Sequence, residues 1–121
     1  MSYKDGKFIR HHSVNVGIAV AIADGLVVPA LRDADRKTLR EIGREARDLI
    51  DRARNRKLTL QELEGSTFSV TNLGMYDVDQ FTGIINQPNA AILAVGAIQK
   101  KPAVKNDQVV IADRMRVTLS A

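Results

Sequence analysis

Two polar side chains that could do chemistry, Thr71 and Asn72, stand where a predicted strand gives way to a turn. Residues 67–71 combine β-branched and aromatic side chains, which suit a pleated and half-buried surface. Asn72 and Gly74 then supply ordinary turn chemistry. A hydroxyl held at a strand end can donate a hydrogen bond in a site, or it can satisfy a nearby carbonyl. On the residues alone, the second role is the more common one.

A second predicted strand frames the same region. Residues 90–98 are almost wholly apolar, which is typical of a strand buried on both faces. Polar residues 86–89 precede this strand and break the chain. Two buried strands joined by polar turns would therefore place Thr71, at the end of the first strand, beside buried backbone. We expect the polar and special residues of these turns to have structural roles: Asn72, Gly74, Asn86 and Pro88.

The chain has two histidines and no cysteine. His11 and His12 are adjacent, so on a strand their side chains point to opposite faces and cannot easily bind one metal ion together. The absence of cysteine excludes disulfides, thiolate catalysis and cysteine-ligated metals, and we predict no metal site. Either histidine could act as a general base, although a strand-edge histidine more often has no chemical role.

The composition is ordinary for one soluble domain, with 121 residues, 45% hydrophobic and 26% charged. No apolar run approaches the length of a membrane span, and the N-terminus lacks the apolar segment of a signal peptide. We therefore expect a cytoplasmic protein with no membrane partner, or a protein of an organelle matrix if a targeting segment was removed.

The net charge of +4 comes largely from residues 32–57, which hold ten lysines or arginines and six acidic residues. Such a bias could attract nucleic acid, coenzyme A phosphates or an acidic partner. Aromatic residues make up only 4% of the chain and none lies in the basic segment, so stacking on bases has no support. The pattern favours a solvated helix face, and no nucleic-acid partner is predicted.

The first half of the chain predicts a hairpin and then a helix. In residues 14–23 apolar side chains alternate with small ones, and Asp24-Gly25 indicates a hairpin turn into residues 26–28. Thr38 and Glu41 form a capping-box pattern at a helix start, and Thr59 with Glu62 repeats it. An apolar stripe at helical spacing follows the first box. Its members are Leu39, Ile42, Ala46, Leu49, Ile50 and Ala53.

The two ends of the chain complete the predicted architecture. We interpret residues 1–12 as a ragged lead-in, with a turn at Asp5-Gly6. Residues 109–111 and 115–120 are predicted to pair as a final hairpin. The order of strand pair, helix and several strands indicates an α/β fold, a two-layer sandwich of a mixed β-sheet covered by helices.

Four segments of the sequence carry a family resemblance. They are N-V-G-I-A-V-A at 15–21, G-L-V-V-P-A-L-R-D-A-D-R-K-T-L at 25–39, S-V-T-N-L-G-M at 69–75 and I-I-N-Q-P-N-A-A-I-L-A-V-G at 84–96. In this order they resemble the catalytic, inner-core domain of the dihydrolipoamide acyltransferases of 2-oxoacid dehydrogenase complexes. The resemblance implies a chloramphenicol-acetyltransferase-like fold and extends roughly from Val14 to Ser120, so that residues 1–121 are expected to be part of one such domain.

The resemblance also implies a reaction, the transfer of an acyl group between dihydrolipoamide and coenzyme A. A lipoyl group delivered from another domain and coenzyme A are then the substrates, and no cofactor is bound covalently. In the family a histidine acts as general base and a serine or threonine hydroxyl stabilises the oxyanion. Thr71, within S-V-T-N-L-G, is the residue matching that hydroxyl.

The matching histidine of the family lies in a His-x-x-x-Asp-Gly motif, which follows a strand resembling R-V-T-L-S-A. No such motif occurs among the 121 residues, which stop at Ala121. We therefore expect the isolated chain to have little or no transfer activity. The resemblance further implies self-association into a trimer-based core and contact with other subunits of the complex. A non-catalytic scaffold or assembly module of the same fold is the alternative function.

Overall fold

The computed structural model describes residues 1–121 and contains a five-stranded mixed sheet, three two-stranded hairpins and one α-helix. The helix α1 spans Leu39–Arg54, and short 3-10 turns cover Ala34–Arg36, Leu60–Leu63 and Gly74–Tyr76. The strands are β1 (Ser2–Lys4), β2 (Lys7–Ile9), β3 (Val16–Ile18), β4 (Val20–Ile22), β5 (Gly25–Val27), β6 (Ala30–Leu31), β7 (Phe68–Asn72), β8 (Ile92–Val95), β9 (Gln99–Lys105), β10 (Gln108–Arg114) and β11 (Val117–Ser120).

The five-stranded sheet has the order β11-β8-β7-β3-β6. Its central strand β7 runs parallel to β3 on one side and to β8 on the other, and both edge strands run antiparallel to their neighbours. In β8, Ile92 and Ala94 are buried and Leu93 and Val95 are half-buried, which agrees with the apolar character of residues 92–95. The predicted α/β fold with a mixed sheet is confirmed.

The helix α1 begins at the predicted capping box. The Thr38 hydroxyl accepts a hydrogen bond from the Glu41 backbone N–H, and the Glu41 carboxylate accepts one from the Thr38 N–H at 2.7 Å. α1 packs against β4 and β6, with Leu49 and Ala53 buried. The predicted apolar stripe is therefore correct for the second half of the helix. It is wrong at Leu39, which is 85% exposed because the first turn extends beyond the sheet.

The long strand predicted over residues 14–23 is divided in two. β3 pairs inside the main sheet, whereas β4 leaves it and pairs antiparallel with β5. Ala19 lies at the division, and its N–H donates to the Val70 carbonyl at 2.9 Å. The predicted hairpin between β4 and β5 is present, with Ile22 opposite Gly25. The side-chain alternation gave no signal of the division because both pieces are extended.

The predicted final hairpin is wrong. β10 pairs with β9, and β11 instead adds an edge strand to the main sheet beside β8. Asn106 and Asp107 have φ of 51° and 58°, the left-handed geometry of a two-residue hairpin turn, so they join residues 99–105 to residues 108–114. The strand predicted over residues 90–98 is confined to β8, and Ile98 is 71% exposed.

The N-terminal residues form the hairpin of β1 and β2. Its turn contains Asp5 and Gly6, both with positive φ. Tyr3 and Phe8 lie opposite each other in the register, and their ring centroids are 5.1 Å apart. No helix in the protein has the length and apolar character needed to cross a membrane.

Candidate active site

Thr71 lies near the end of the central strand β7, between two alanines. Its registered neighbour on β8 is Ala94. On the other side, the pair Ile18 and Val70 is the last one registered between β3 and β7, so Ala19 lies level with Thr71. Adjacent residues of neighbouring parallel strands point to the same face, and a methyl group is the smallest side chain beyond hydrogen. The sequence therefore leaves open space around the Thr71 side chain.

This space is part of a cavity of about 600 Å³ that Thr71 and Ser69 line from the sheet. β5 and the residue after it supply one wall, and residues 81–86 supply the opposite one. The lining is mostly apolar and carries no charged side chain. An uncharged, slender ligand would bury apolar surface here beside the Thr71 hydroxyl.

The two hydroxyls of β7 differ in their partners. Ser69 is 1% exposed, and its Oγ accepts a hydrogen bond of 2.6 Å from Asn89 Nδ2. The same Asn89 amide donates to Ser66 Oγ at 3.1 Å. The Thr71 hydroxyl forms no hydrogen bond within the chain and is only half-buried. Thr71 thus keeps its donor available for a ligand, whereas Ser69 is committed to holding the loop of Asn89.

Sequence reasoning missed the cluster of Ser66, Ser69 and Asn89. Its partners are up to 23 residues apart, so no local motif reports it. The available signal was the spacing of Ser69 and Thr71, which puts both hydroxyls on one face of β7.

The turn after β7 has the structural character predicted for it. The Asn72 carbonyl oxygen Oδ1 accepts a hydrogen bond from the Gly74 N–H at 2.8 Å. A Cβ atom added at Gly74 would lie 3.0 Å from the Gly96 carbonyl oxygen, so this close approach favours glycine. Further along, the Asn86 carbonyl accepts from the Asn89 N–H at 3.0 Å, and the bond between Gln87 and Pro88 is cis. The Asn86 side chain also lines the cavity.

Asp79, two residues before the wall formed by residues 81–86, holds this segment in place. The Asp79 carboxylate pairs with Lys101 at 2.5 Å and with Arg116 at 3.1 Å. The hydrogen bond from Lys101, aided by the charge of Arg116, lowers the pKa of Asp79. Gly96 lies against the backbone of Asp79, where an added Cβ would be 2.1 Å from the Asp79 carbonyl oxygen. These contacts tie the cavity wall to β9 and to the end of β8.

Neither histidine lies beside Thr71. Val16 is registered with Phe68, and both histidines precede Val16 in the chain. Thr71 lies three residues beyond Phe68 in the opposite direction, roughly 10 Å along the strand. The His11 ring forms a hydrogen bond of 2.8 Å through Nε2 with Ser2 Oγ. The structure therefore brings no histidine of this chain to the candidate site, and no group of three or more metal-binding side chains is present.

The fold defines the class of protein. A mixed sheet with parallel central strands, one covering helix and an apolar cavity at the end of the central strand is an α/β architecture. Over residues 1–121 the sequence matches the family described as 2-oxoacid dehydrogenases acyltransferase (catalytic domain), and the chain belongs to this family. The family resemblance stated from the four motifs is confirmed.

Relatives and solved structures agree with this assignment. The chain is 48% identical over 111 residues to the dihydrolipoyllysine-residue acetyltransferase component of the pyruvate dehydrogenase complex of Rickettsia felis, covering 92% of this chain and 27% of that protein. The fold resembles the dihydrolipoamide acetyltransferase of Azotobacter vinelandii with a TM-score of 0.92 and 32% identity, covering 98% of this chain and 49% of that one. That structure is described in work on the role of a serine, a histidine and an asparagine in the catalytic mechanism.

A third comparison concerns assembly. The cubic core of the pyruvate dehydrogenase multienzyme complex matches with a TM-score of 0.89 and 33% identity, covering 94% of this chain and 47% of that one. The chain thus spans about half the length of these solved structures, and 27% of the Rickettsia relative.

Proposed function

We propose that this chain carries one half of the active site of a dihydrolipoamide acyltransferase in the core of a 2-oxoacid dehydrogenase complex. The observation that carries the proposal is the Thr71 hydroxyl. It has no partner within the chain and lies on a cavity of about 600 Å³ with an uncharged lining. Membership of the acyltransferase family supports the same reaction.

In the proposed reaction, the sulfur of a thiol attacks the carbonyl carbon of a thioester. The thiol proton passes to a general base, and the carbonyl oxygen gains negative charge. The Thr71 hydroxyl donates a hydrogen bond to that oxygen and keeps its proton. A donor aimed at charge that develops only in the transition state is worth about 10²–10³ in rate. Collapse of the tetrahedral species then releases the second thiol, which takes the proton back.

The substrates in this proposal are coenzyme A and a lipoyl group delivered from another domain, with no cofactor bound covalently to the chain. The general base in this proposal is a histidine outside these 121 residues, because neither His11 nor His12 lines the cavity that contains Thr71. The similar structure from Azotobacter, for which a serine, a histidine and an asparagine are named in the catalytic mechanism, supports the need for a histidine.

The test is acyl transfer from acetyl-CoA to dihydrolipoamide, measured as thioester formation. We expect turnover by the full-length gene product and little or none by the 121-residue chain alone. A full-length product that binds both substrates without turnover would contradict the proposed reaction. Robust turnover by the 121-residue chain would contradict the assignment of the base to other residues.

The second candidate function is a non-catalytic scaffold of the same fold. The observation that favours it is that neither histidine lines the cavity that contains Thr71. The scaffold predicts that the full-length product assembles normally and that Thr71 can be replaced without any effect on the complex. The same turnover assay separates the two functions.

We further propose that the chain self-associates, by resemblance as part of a trimer-based core that other subunits of the complex join. Apolar side chains on β10 and on the edge strand β11 are left uncovered, with Ile111 78% and Leu119 62% exposed. An exposed edge strand with apolar side chains favours pairing with another chain. Light scattering on the purified protein is expected to give an oligomer, and a clean monomer would count against this interface.

A further inference from the structure

The cavity wall formed by residues 81–86 has almost no hydrogen bonds of its own. It lies in no helix or strand, and half-buried residues alternate along it with exposed ones, which is the pattern of an extended segment. Among residues 81–88, the only backbone group that forms a hydrogen bond is the Asn86 carbonyl, which accepts from the Asn89 N–H. Because this segment has no partner strand, its position depends on what holds its two ends.

The two ends of the wall are held by different kinds of contact. At the first end, the Val78 carbonyl accepts from the Ala97 N–H at 2.7 Å, next to the ion pairs of Asp79. At the second end the contact is buried, because Asn89 is only 5% exposed. Its amide donates to Ser69 Oγ at 2.6 Å and to Ser66 Oγ at 3.1 Å. Asn89 therefore makes the buried polar contact that joins this wall to the central strand.

Strand β3 leaves room for this contact beside the central strand. Gly17 is registered with Ser69, and a Cβ atom added at Gly17 would lie 3.1 Å from Ser69 Oγ and 3.1 Å from Ser66 Cβ. Ser69 itself lines the cavity, two residues from Thr71 on the same face of β7. The contact made by Asn89 thus lies at the floor of the cavity, roughly 7 Å along the strand from Thr71.

We propose that Asn89 is a positioning residue, which sets the distance between residues 81–86 and the central strand and thereby the width of the cavity. This inference rests on the proposed acyl transfer, because the width acts through the substrate that lies beside Thr71. A loosened wall gives up contact with that substrate, whereas the Thr71 hydroxyl stays fixed by its own strand. Loss of the Asn89 amide therefore weakens substrate binding and leaves the chemical step unchanged. An asparagine with a structural role alone would affect stability and change neither KM nor kcat.

The test is Asn89→Ala in the full-length gene product, with dihydrolipoamide as the probe because it is uncharged like the lining of the cavity. A ligand that loses about 50 Å² of apolar contact binds about tenfold more weakly. The KM for dihydrolipoamide should therefore rise about tenfold with kcat unchanged, and its Kd by calorimetry should rise by the same factor. Tm should fall by roughly 3–10 °C, because the Ser66 and Ser69 hydroxyls lose their donor.

Two further variants separate positioning from stability. Ser66→Ala removes the longer of the two contacts and should raise KM by less than Asn89→Ala does. The double variant should match Asn89→Ala alone, because its contact with Ser66 is already absent. Thr38→Ala removes a helix cap that lines no part of the cavity, so it should lower Tm and leave KM unchanged. If Asn89→Ala does not fold, the KM of Ser66→Ala decides the question.

Three results would overturn the inference: an unchanged KM and Kd in Asn89→Ala, a KM raised equally by Thr38→Ala, or no dihydrolipoamide binding by the unchanged protein. A fall in kcat at constant KM would also contradict it, since the amide would then act on the chemical step. Calorimetry measures binding without turnover. A protein that shows the expected change in Kd but transfers no acyl group would therefore contradict only the proposed reaction.

Discussion

Replacing Thr71 with valine removes one hydroxyl and little else. Valine keeps the shape and the β-branching that suit a strand, and the hydroxyl has no partner within the chain to leave unsatisfied. The expected change in the free energy of unfolding is below about 1 kcal/mol, or less than about 4 °C in Tm. If the hydroxyl stabilises the oxyanion, kcat falls by about 10²–10³, equivalent to roughly 2.7–4 kcal/mol, with KM almost unchanged.

Ser69→Ala is the matched control on the same face of β7. It leaves the buried Asn89 amide without its 2.6 Å acceptor. That loss costs about 1–3 kcal/mol, which predicts a Tm lower by roughly 3–10 °C with kcat little changed. Thr71→Val should therefore lower kcat with little change in Tm, whereas Ser69→Ala should lower Tm with little change in kcat. The account of Thr71 would be refuted by a Thr71→Val protein with unchanged kcat, or by one that loses as much stability as Ser69→Ala.

Three further predictions concern the cavity, the helix and an ion pair. Ala19→Leu fills the space beside Thr71, so acyl transfer should fall sharply while Tm stays unchanged or rises; full activity would contradict the cavity assignment. Thr38→Ala removes the helix cap and should cost about 1 kcal/mol, a few degrees in Tm by calorimetry. An unchanged Tm would show that the cap contributes nothing. The hydrogen bond from Arg52 lowers the pKa of Glu62 from 4.5 to about 2. Because the folded state holds this pKa below its unfolded value, the ionised carboxylate stabilises the fold above about pH 4.5 and loses this effect as the pH falls towards 2. Glu62→Gln should lower Tm at pH 7, and the difference should shrink in acid; a constant difference would contradict the role of this charge.

Features set by neighbouring residues were predictable from the sequence. The capping boxes at Thr38 and Thr59 both form, because the hydroxyl and the carboxylate three positions later bond within one turn. Strand β7 forms within one residue of its predicted bounds, because its β-branched and aromatic residues suit a central strand. The turn of Asn72 and Gly74 likewise depends on a bond across two residues.

Features set by distant residues were not predictable in the same way. The pairing of β11 with β8, in place of β10, depends on which edge of the sheet is open, and periodicity contains no such information. Leu39 continues the helical apolar stripe but lies where no sheet covers it. The candidate site could likewise be predicted only in part. Thr71 could be singled out from its motif, whereas its isolation from hydrogen-bond partners depends on Ala19 and Ala94, which lie on other strands.

The most direct test of the central claim is a structure of the full-length gene product with a bound thioester or a stable analogue of its tetrahedral intermediate. The account predicts the oxygen of the reacting carbonyl at about 2.7–3.1 Å from the Thr71 hydroxyl oxygen, within the cavity formed by β5, β7 and residues 81–86. A reacting carbonyl bound elsewhere, or bound there with its oxygen turned away from Thr71, would contradict it.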